Sequence, residues 1–494
     1  MPIELLLSHA DTHTPVLEPG VEAESLRGVT VPPRASRSRY LRARTGDPHD
    51  LHKQRWGLVV PQGEAGRHLL ELVAPLRDFR QREQGGHPVR VYEVRPGMDR
   101  EAAHRWLEKE FEGEQVEEED RPRYLLILGD LDAVSLELQQ VLAIDGLVGR
   151  LAFPTDDGYR AYVNKVLRWA EHPSPALLAR PLFYTARDGS LATRQGHDLL
   201  MRPCFETSTE RQEAGLQHMQ PPLSWEETGE GPGSAVERFL RFASDATPSM
   251  LFSLSHGQGT PERRAWTSFE EQRAQQGALV LARGQVLTAK DVARGPFLPG
   301  GFWFGLACFS AGTPAHSCYE TWLQDLPSLH PAAARFTKTP LHSPDGRPFI
   351  AALPQAALAN PEGPLAMVGH IDLAWTTSFN DQGSSRHKKF RDIIEAVGHR
   401  HRVGLALTPL LAPANRLERR QGARAHDAYK SKKAKRRARV SDTETAFDWL
   451  QYHDLASYIL LGDPAVHLPL PAPPGQGRQP CRSTDVARPP PSSS

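Results

Sequence analysis

The chain of 494 residues is short of cysteine, of net charge and of long apolar runs. Its four cysteines, Cys204, Cys308, Cys318 and Cys481, are too few and too scattered for a disulfide framework. No Cys-x-x-Cys pair marks a structural zinc site, so neither a metal nor another cofactor is expected. Lys and Arg number 59 against 59 Asp and Glu, which excludes a wholly basic nucleic-acid-coating protein and an acidic tail protein. No stretch approaches ~18 uninterrupted apolar residues, so no membrane span is expected. The opening Met1-Pro-Ile-Glu-Leu-Leu-Leu7 lacks the basic segment and long apolar core of a secretory signal. The expectation is a cytoplasmic protein in a reducing compartment, where a lone cysteine serves chemistry or packing. Pro 43 and Gly 39 make the chain loop-rich without reaching the level of wholesale disorder.

What is present is an α/β rhythm. Residues 1–52 mix Pro, Arg and Ser and read as an irregular lead-in. Gly57–Pro61, Val89–Val94 and Tyr124–Gly129 read as strands. Leu69, Leu72, Val73, Leu76 and Phe79 mark an amphipathic helix that Pro75 should bend or break. Ala103, Trp106, Leu107 and Phe111 mark a second, and Tyr159 to Ala170 a third. Residues 205–235 look like a connector between an α/β subdomain at 53–204 and a second unit at 236–470. Strands of the second unit are Met250–Leu254, Ala278–Ala282, Phe302–Ala307 and Leu365–Gly369, with a strand-like Val403–Leu407 and a helix through Phe390, Ile393, Ile394 and Val397. Alternation of this kind predicts two mainly parallel sheets, or two subdomains, each of three or more parallel strands. Residues 416–439 hold eleven Lys/Arg against Glu418 and Asp427 and read as a basic insertion. Residues 471–494, rich in Pro and Ser, read as a disordered tail.

Two strands of the second unit end in reactive residues. Met250-Leu-Phe-Ser-Leu-Ser-His256-Gly257 delivers a histidine and then a glycine. Gly301-Phe-Trp-Phe-Gly-Leu-Ala-Cys308 delivers a cysteine into a small-residue turn ending at Gly312. Ligands of open parallel sheets bind beyond the carboxyl ends of strands, so both side chains should face one cleft although 52 positions apart. A cysteine needs a base to act as a thiolate near neutral pH, and histidine can take that proton and return it to a leaving amine. Gly257 permits a sharp turn and close approach of a substrate, and the N–H groups of Gly257 and Cys308 could hold an oxyanion. Either feature alone is ordinarily packing or chance; together they point to a hydrolase. Cys318, ten positions after Cys308 on what reads as a helix, is expected to be a packing residue.

At these residues the sequence resembles the caspase-like (clan CD) cysteine peptidases, in their gingipain-type and CHAT-type branches. Leu254-Ser-His-Gly257 resembles the histidine strand, Leu306-Ala-Cys-Phe-Ser-Ala-Gly312 the nucleophile strand, and Gly363–Gly369 the next core strand. Tyr458-Ile-Leu-Leu-Gly-Asp-Pro-Ala465 resembles the Leu-Gly-Asp-Pro signature of gingipain-type units. Tyr124–Asp130 and Asp145–Ala152 resemble strands of the same branch, so the likeness spans about residues 55–470. The resemblance implies a caspase-like α/β/α sandwich with a mainly parallel sheet, preceded by a pseudo-catalytic α/β subdomain without a dyad. It implies a cysteine endopeptidase with Cys308 as nucleophile, His256 as general base and acid, and Gly257 as oxyanion partner, acting on a protein or peptide substrate such as a defence or cell-death effector. The segment Gly277–Leu287 could be an extra strand pair of the CHAT kind.

The residues after Gly369 line the cleft in this fold class, which makes Asp372 and Trp375 candidate pocket residues. An ionised Asp372 would favour a basic side chain, with Trp375 as an apolar wall; alternatively Asp372 caps a helix starting near Trp375. Two other readings stand beside the peptidase. One is a catalytically silent caspase-like scaffold. The other is a nucleic-acid-associated module using residues 416–439, where the lack of aromatics beyond Tyr429 argues against base stacking.

Overall fold

The computed structural model describes residues 2–26, 46–113, 116–174, 176, 178–244, 248–320, 322–324, 346–412, 414, 417 and 442–471. The basic insertion, apart from Leu417, and the tail from 472 onward lie outside the described residues. In chain order the strands are β1 (Leu7–Ser8), β2 (Trp56–Pro61), β3 (Arg90–Val94), β4 (Tyr124–Leu128), β5 (Leu147–Leu151) and β6 (Arg180–Ala186). There follow β7 (Leu223–Glu227), β8 (Ser249–Leu254), β9 (His256–Gln258), β10 (Leu279–Val280), β11 (Val286–Leu287) and β12 (Phe302–Leu306). The last are β13 (Gly312–Thr313), β14 (Phe349–Ile350), β15 (Ala366–His370), β16 (Asn380–Asp381), β17 (Ser384–Ser385) and β18 (Tyr458–Gly462).

Ten of these form one mostly parallel sheet in the order β3-β2-β4-β5-β18-β15-β12-β8-β6-β7. The fold is α/β. Both halves of the chain share this sheet: β18 runs antiparallel to β15 and parallel to β5, and every other adjacent pair is parallel. Alternate residues of each strand point to opposite faces. Leu58, Leu126, Phe252 and Phe304 enter the largest apolar cluster on one face. Leu251 and Trp303, and in the other half Val59 and Leu125, enter two separate clusters on the opposite face. Helices therefore cover both faces. Burial of each such side chain contributes about 1.5–3 kcal/mol, and the stacked pair Phe252–Phe304, centroids 5.1 Å apart, ties β8 to β12.

Local expectations fare differently. The helix carrying Pro75 breaks at Val73 into Glu64–Leu72 and Ala74–Glu83, with Pro75 in the first turn of the second, where its missing N–H costs nothing. The segment 205–235 is more than a connector. It carries most of the helix Arg202–Glu213 and supplies the edge strand β7, paired to β6. Val403–Leu407 is not a strand: Val403–Ala406 is a helical turn, its apolar run buried beside Pro464. The lead-in is not wholly irregular, because β1 pairs with β9. Gly277–Leu287 does hold a strand pair, β10 antiparallel to β11.

The Leu-Gly-Asp-Pro segment is structural. The Asp463 carboxylate, fully buried, accepts from Trp56 Nε1 at 2.9 Å and Arg80 Nε at 2.8 Å, joining β18 to β2 and to the helix Ala74–Glu83. Burial works against ionisation of Glu83, yet Arg80 and Arg402 override it and hold its carboxyl at about 2. Gly149 is required by contact: a Cβ there would lie 2.2 Å from the Gly462 carbonyl oxygen.

Candidate active site

β8 and β12 are neighbours in parallel register, with Leu254 opposite Leu306. Both chains continue past their carboxyl ends, which brings His256-Gly257 against Cys308. A Cβ on Gly257 would lie 1.9 Å from the Cys308 carbonyl oxygen and 3.0 Å from its nitrogen, so only glycine lets the two backbones touch. Gly257 is not among the residues with positive φ; close approach, not a sharp turn, is its use here. The left-handed residue is Phe309, at φ 55, directly after Cys308. It is held by its N–H to the Asp372 carbonyl at 3.0 Å, an uncommon conformation for a bulky residue and a strained turn.

The imidazole of His256 has two different sides. Nε2 lies 2.9 Å from Ser190 Oγ and 3.3 Å from Asp188 Oδ2. Nδ1 is buried without a hydrogen-bond partner. A carboxylate beside Nε2 favours the proton there and leaves the lone pair on Nδ1. Burial pushes the His256 pKa below its usual range, against the opposing pull of Asp188, Glu18 and the Leu7 backbone. Asp188 is itself fixed, accepting from Thr193 Oγ1 at 2.8 Å and from Ser190 N at 3.0 Å. Asp188 and Ser190 were not singled out in the sequence. They follow β6, which pairs with β8, and an Arg-Asp-Gly-Ser run after an apolar strand was the available signal.

Cys308 is fully buried, and burial pushes its thiol well above its usual range. Its Sγ accepts from Ala374 N at 3.0 Å and lies 3.6 Å from Ala374 O. No hydrogen bond joins it to His256. Cys318, expected to be a packing residue, is exposed; its N–H donates to Asp372 Oδ2 at 3.0 Å. It follows Ser317 in a turn that Asp372 organises, so helical burial never applies to it.

The two proposed oxyanion donors point at one atom. Gly257 N and Cys308 N lie 3.0 and 3.1 Å from the carbonyl oxygen of Leu6. Asp372 does not face this carbonyl as a free charge. Its buried carboxylate accepts from Ser317 Oγ at 2.9 and 3.0 Å, Cys318 N at 3.0 Å and Leu373 N at 2.8 Å. Nor does it cap the short helix Thr376–Ser378, which has no side-chain cap. Trp375 is fully buried, its backbone bridged to Leu5 and its N–H bonded to Asp454 Oδ1 at 2.9 Å. Asp454 also accepts from Thr377 Oγ1 at 2.7 Å and so holds the 374–377 segment in place. Among the described residues no group of His, Cys, Asp and Glu is arranged to hold a metal ion. Among the same residues no helix is long and apolar enough to cross a membrane.

No protein-family model matches the chain, and no curated protein matches it. Solved structures do. A protease structure is 13% identical with a TM-score of 0.47, covering 85% of this chain and 80% of that one. The Arg-specific cysteine proteinase gingipain R is 12% identical with a TM-score of 0.46, covering 84% of this chain and 78% of that one. Separase, in the Saccharomyces cerevisiae separase–securin complex, is 12% identical with a TM-score of 0.31, covering 74% of this chain and 17% of that one.

Proposed function

We propose that the chain is a cysteine peptidase acting on a protein or peptide substrate. The observation that supports this most directly is the convergence of the Gly257 and Cys308 N–H groups on a single peptide carbonyl beside a cysteine and a supported histidine. Donors at this distance from a carbonyl oxygen stabilise the oxyanion formed when that carbonyl is attacked, each worth about 3–4 kcal/mol in the transition state.

In this reading Nδ1 of His256 takes the Cys308 thiol proton. The thiolate attacks the carbonyl carbon, and the tetrahedral oxyanion sits between the Gly257 and Cys308 amides. His256 then returns the proton to the leaving amine, and a thioester remains on Cys308. Water, deprotonated by the same ring, hydrolyses the thioester and frees the carboxylate and the thiol. Asp188 and Ser190 orient the ring and favour its positive charge while it carries the proton.

The test is a peptide library varied at the residue on the acyl side of the scissile bond. It is profiled on the wild type and on a chain with Leu6→Asp, each with and without Cys308→Ala. Hydrolysis that vanishes with Cys308→Ala supports the reading. Hydrolysis that persists, or none in either background with both chains folded, rules it out.

A further inference from the structure

The cleft is not open. Residues Ile3–Ser8 run through it as an extended strand, bonded on both sides. On one side Leu6 N donates to Ala374 O at 3.0 Å, Thr376 N donates to Glu4 O at 3.0 Å, and Glu4 N donates to Thr376 Oγ1 at 3.1 Å. This is antiparallel pairing over three residues before the Leu6 carbonyl. On the other side Leu7 and Ser8 pair parallel with Gly257 and Gln258, and Gly259 N donates to Ser8 O at 2.7 Å. The chain then doubles back: Val16 N donates to Leu7 O at 3.0 Å, and Val21 and Ile3 exchange two backbone bonds at 2.7 and 2.9 Å. Leu6 and Leu7 are wholly buried, and Leu6 belongs to the main apolar cluster.

A peptide about to be cleaved needs its acyl side held as a strand, its carbonyl oxygen between the two amides, and its amine side continuing past the histidine. Residues 3–8 satisfy each condition, and backbone bonds give them their register without regard to side chain. The side chain at the position of attack is leucine, in an enclosed apolar environment. Asp372, two positions before the paired Ala374, is buried with its carboxylate turned to three donors, Ser317 Oγ, Cys318 N and Leu373 N, rather than to the leucine.

We infer that residues Ile3–Ser8 are a built-in occupant of the substrate cleft, lying in substrate register with Leu6 at the acyl position, and that the site therefore takes extended peptides with a leucine-like residue there once this segment leaves. The inference rests on the peptidase reading for its substrate class and on geometry alone for the occupancy. While the segment is docked, Cys308 and His256 are sealed from solvent and not bonded to one another, so the chain is latent.

The experiment uses the full chain and an iodoacetamide probe, with the alkylation rate read at each cysteine by mass spectrometry. Exposed Cys318 is the internal reference. Wild type should label at Cys318 and be protected at Cys308. Leu6→Asp places a charge in the apolar enclosure and should raise Cys308 labelling by at least about tenfold, since reactivity follows the open fraction. A peptide of residues 2–9 added in excess should restore protection. Wild-type Cys308 labelling as fast as Cys318 would overturn the occupancy, as would unchanged labelling in a folded Leu6→Asp chain.

Should Leu6→Asp fail to fold, wild type suffices. A peptide aldehyde ending in leucine adds reversibly to Cys308 and should speed hydrogen exchange of residues 3–8, whereas one ending in arginine should not. Equal displacement by both, or by arginine alone, would overturn the leucine assignment. An opened Cys308 that labels fast while no peptide is hydrolysed would remove the peptidase reading and leave the occupancy standing.

Discussion

The carboxylate of Asp188 lies 3.3 Å from Nε2 of His256, on the side of the ring away from its unpaired Nδ1. In the peptidase reading proposed above, this relationship makes Asp188 a positioning residue that acts through the histidine. Asp188→Asn removes the charge that fixes the tautomer. The expected result is a fall in kcat of about 10²-fold or more on peptide, with KM little changed. A purely structural role would leave the pH profile in place, so the limb assigned to the histidine should also move to lower pH.

Gly257→Ala tests the cradle. The added Cβ would sit 1.9 Å from the Cys308 carbonyl oxygen, and one backbone must give way. Displacing one donor is expected to cost about 10²–10³ in kcat. A variant that folds and turns over at the wild-type rate would contradict the role of this amide.

Docking of residues 3–8 should depend on pH through Glu4. This side chain is buried, and desolvation raises its pKa from 4.5 to about 7, with Glu18 and Glu22 adding to the effect and the Gly20 N–H and Arg194 opposing it. A raised carboxyl pKa means the docked state prefers the proton. Docking is therefore strongest below pH 4.5, weakens by up to about tenfold per unit as pH rises towards 7, and is flat above. Cys308 alkylation, corrected for the thiolate fraction using Cys318, should rise over this window. Glu4→Gln should flatten the rise.

Asp372→Asn is expected to lower stability without changing the choice between Arg and Leu substrates. Its two carboxylate oxygens accept from Ser317, Cys318 and Leu373, and an amide has only one oxygen to accept with. A change in Arg-to-Leu preference in this variant would return Asp372 to the pocket.

Asp463→Ala removes the acceptor of Trp56 Nε1 and of Arg80 Nε and leaves the buried Arg80 with Glu83 alone. Breaking a buried pair outright costs about 3–5 kcal/mol, which Glu83 caps from above here, and the loss is measurable as a lower urea midpoint at constant slope. Activity per folded molecule should be unaffected, because the pair lies in the other half of the sheet.

Much of this was legible along the chain. Apolar strands announce themselves locally, and His256-Gly257 and Cys308 each follow such a run, so their common edge of the sheet could be inferred from the parallel rule alone. The pairing of Gly277–Leu287 and the helix break before Pro75 are equally local, set by alternation and by a missing N–H. Asp372 shows how far that goes: its charge is visible in the sequence, but whether that charge is free depends on Ser317 and Cys318, more than fifty positions away.

The sequence by itself determined which residues can do chemistry and where strands carry them, because side-chain identity and apolar period are properties of short stretches. Only the tertiary structure decided that β6 lies beside β8 and brings Asp188 to His256, and that one sheet spans both halves. Only it decided that the carbonyl of Leu6 occupies the cradle. That last relationship is made of backbone N–H and C=O groups, which every residue but proline carries alike, so no side-chain pattern could have marked Leu6 as the residue held there.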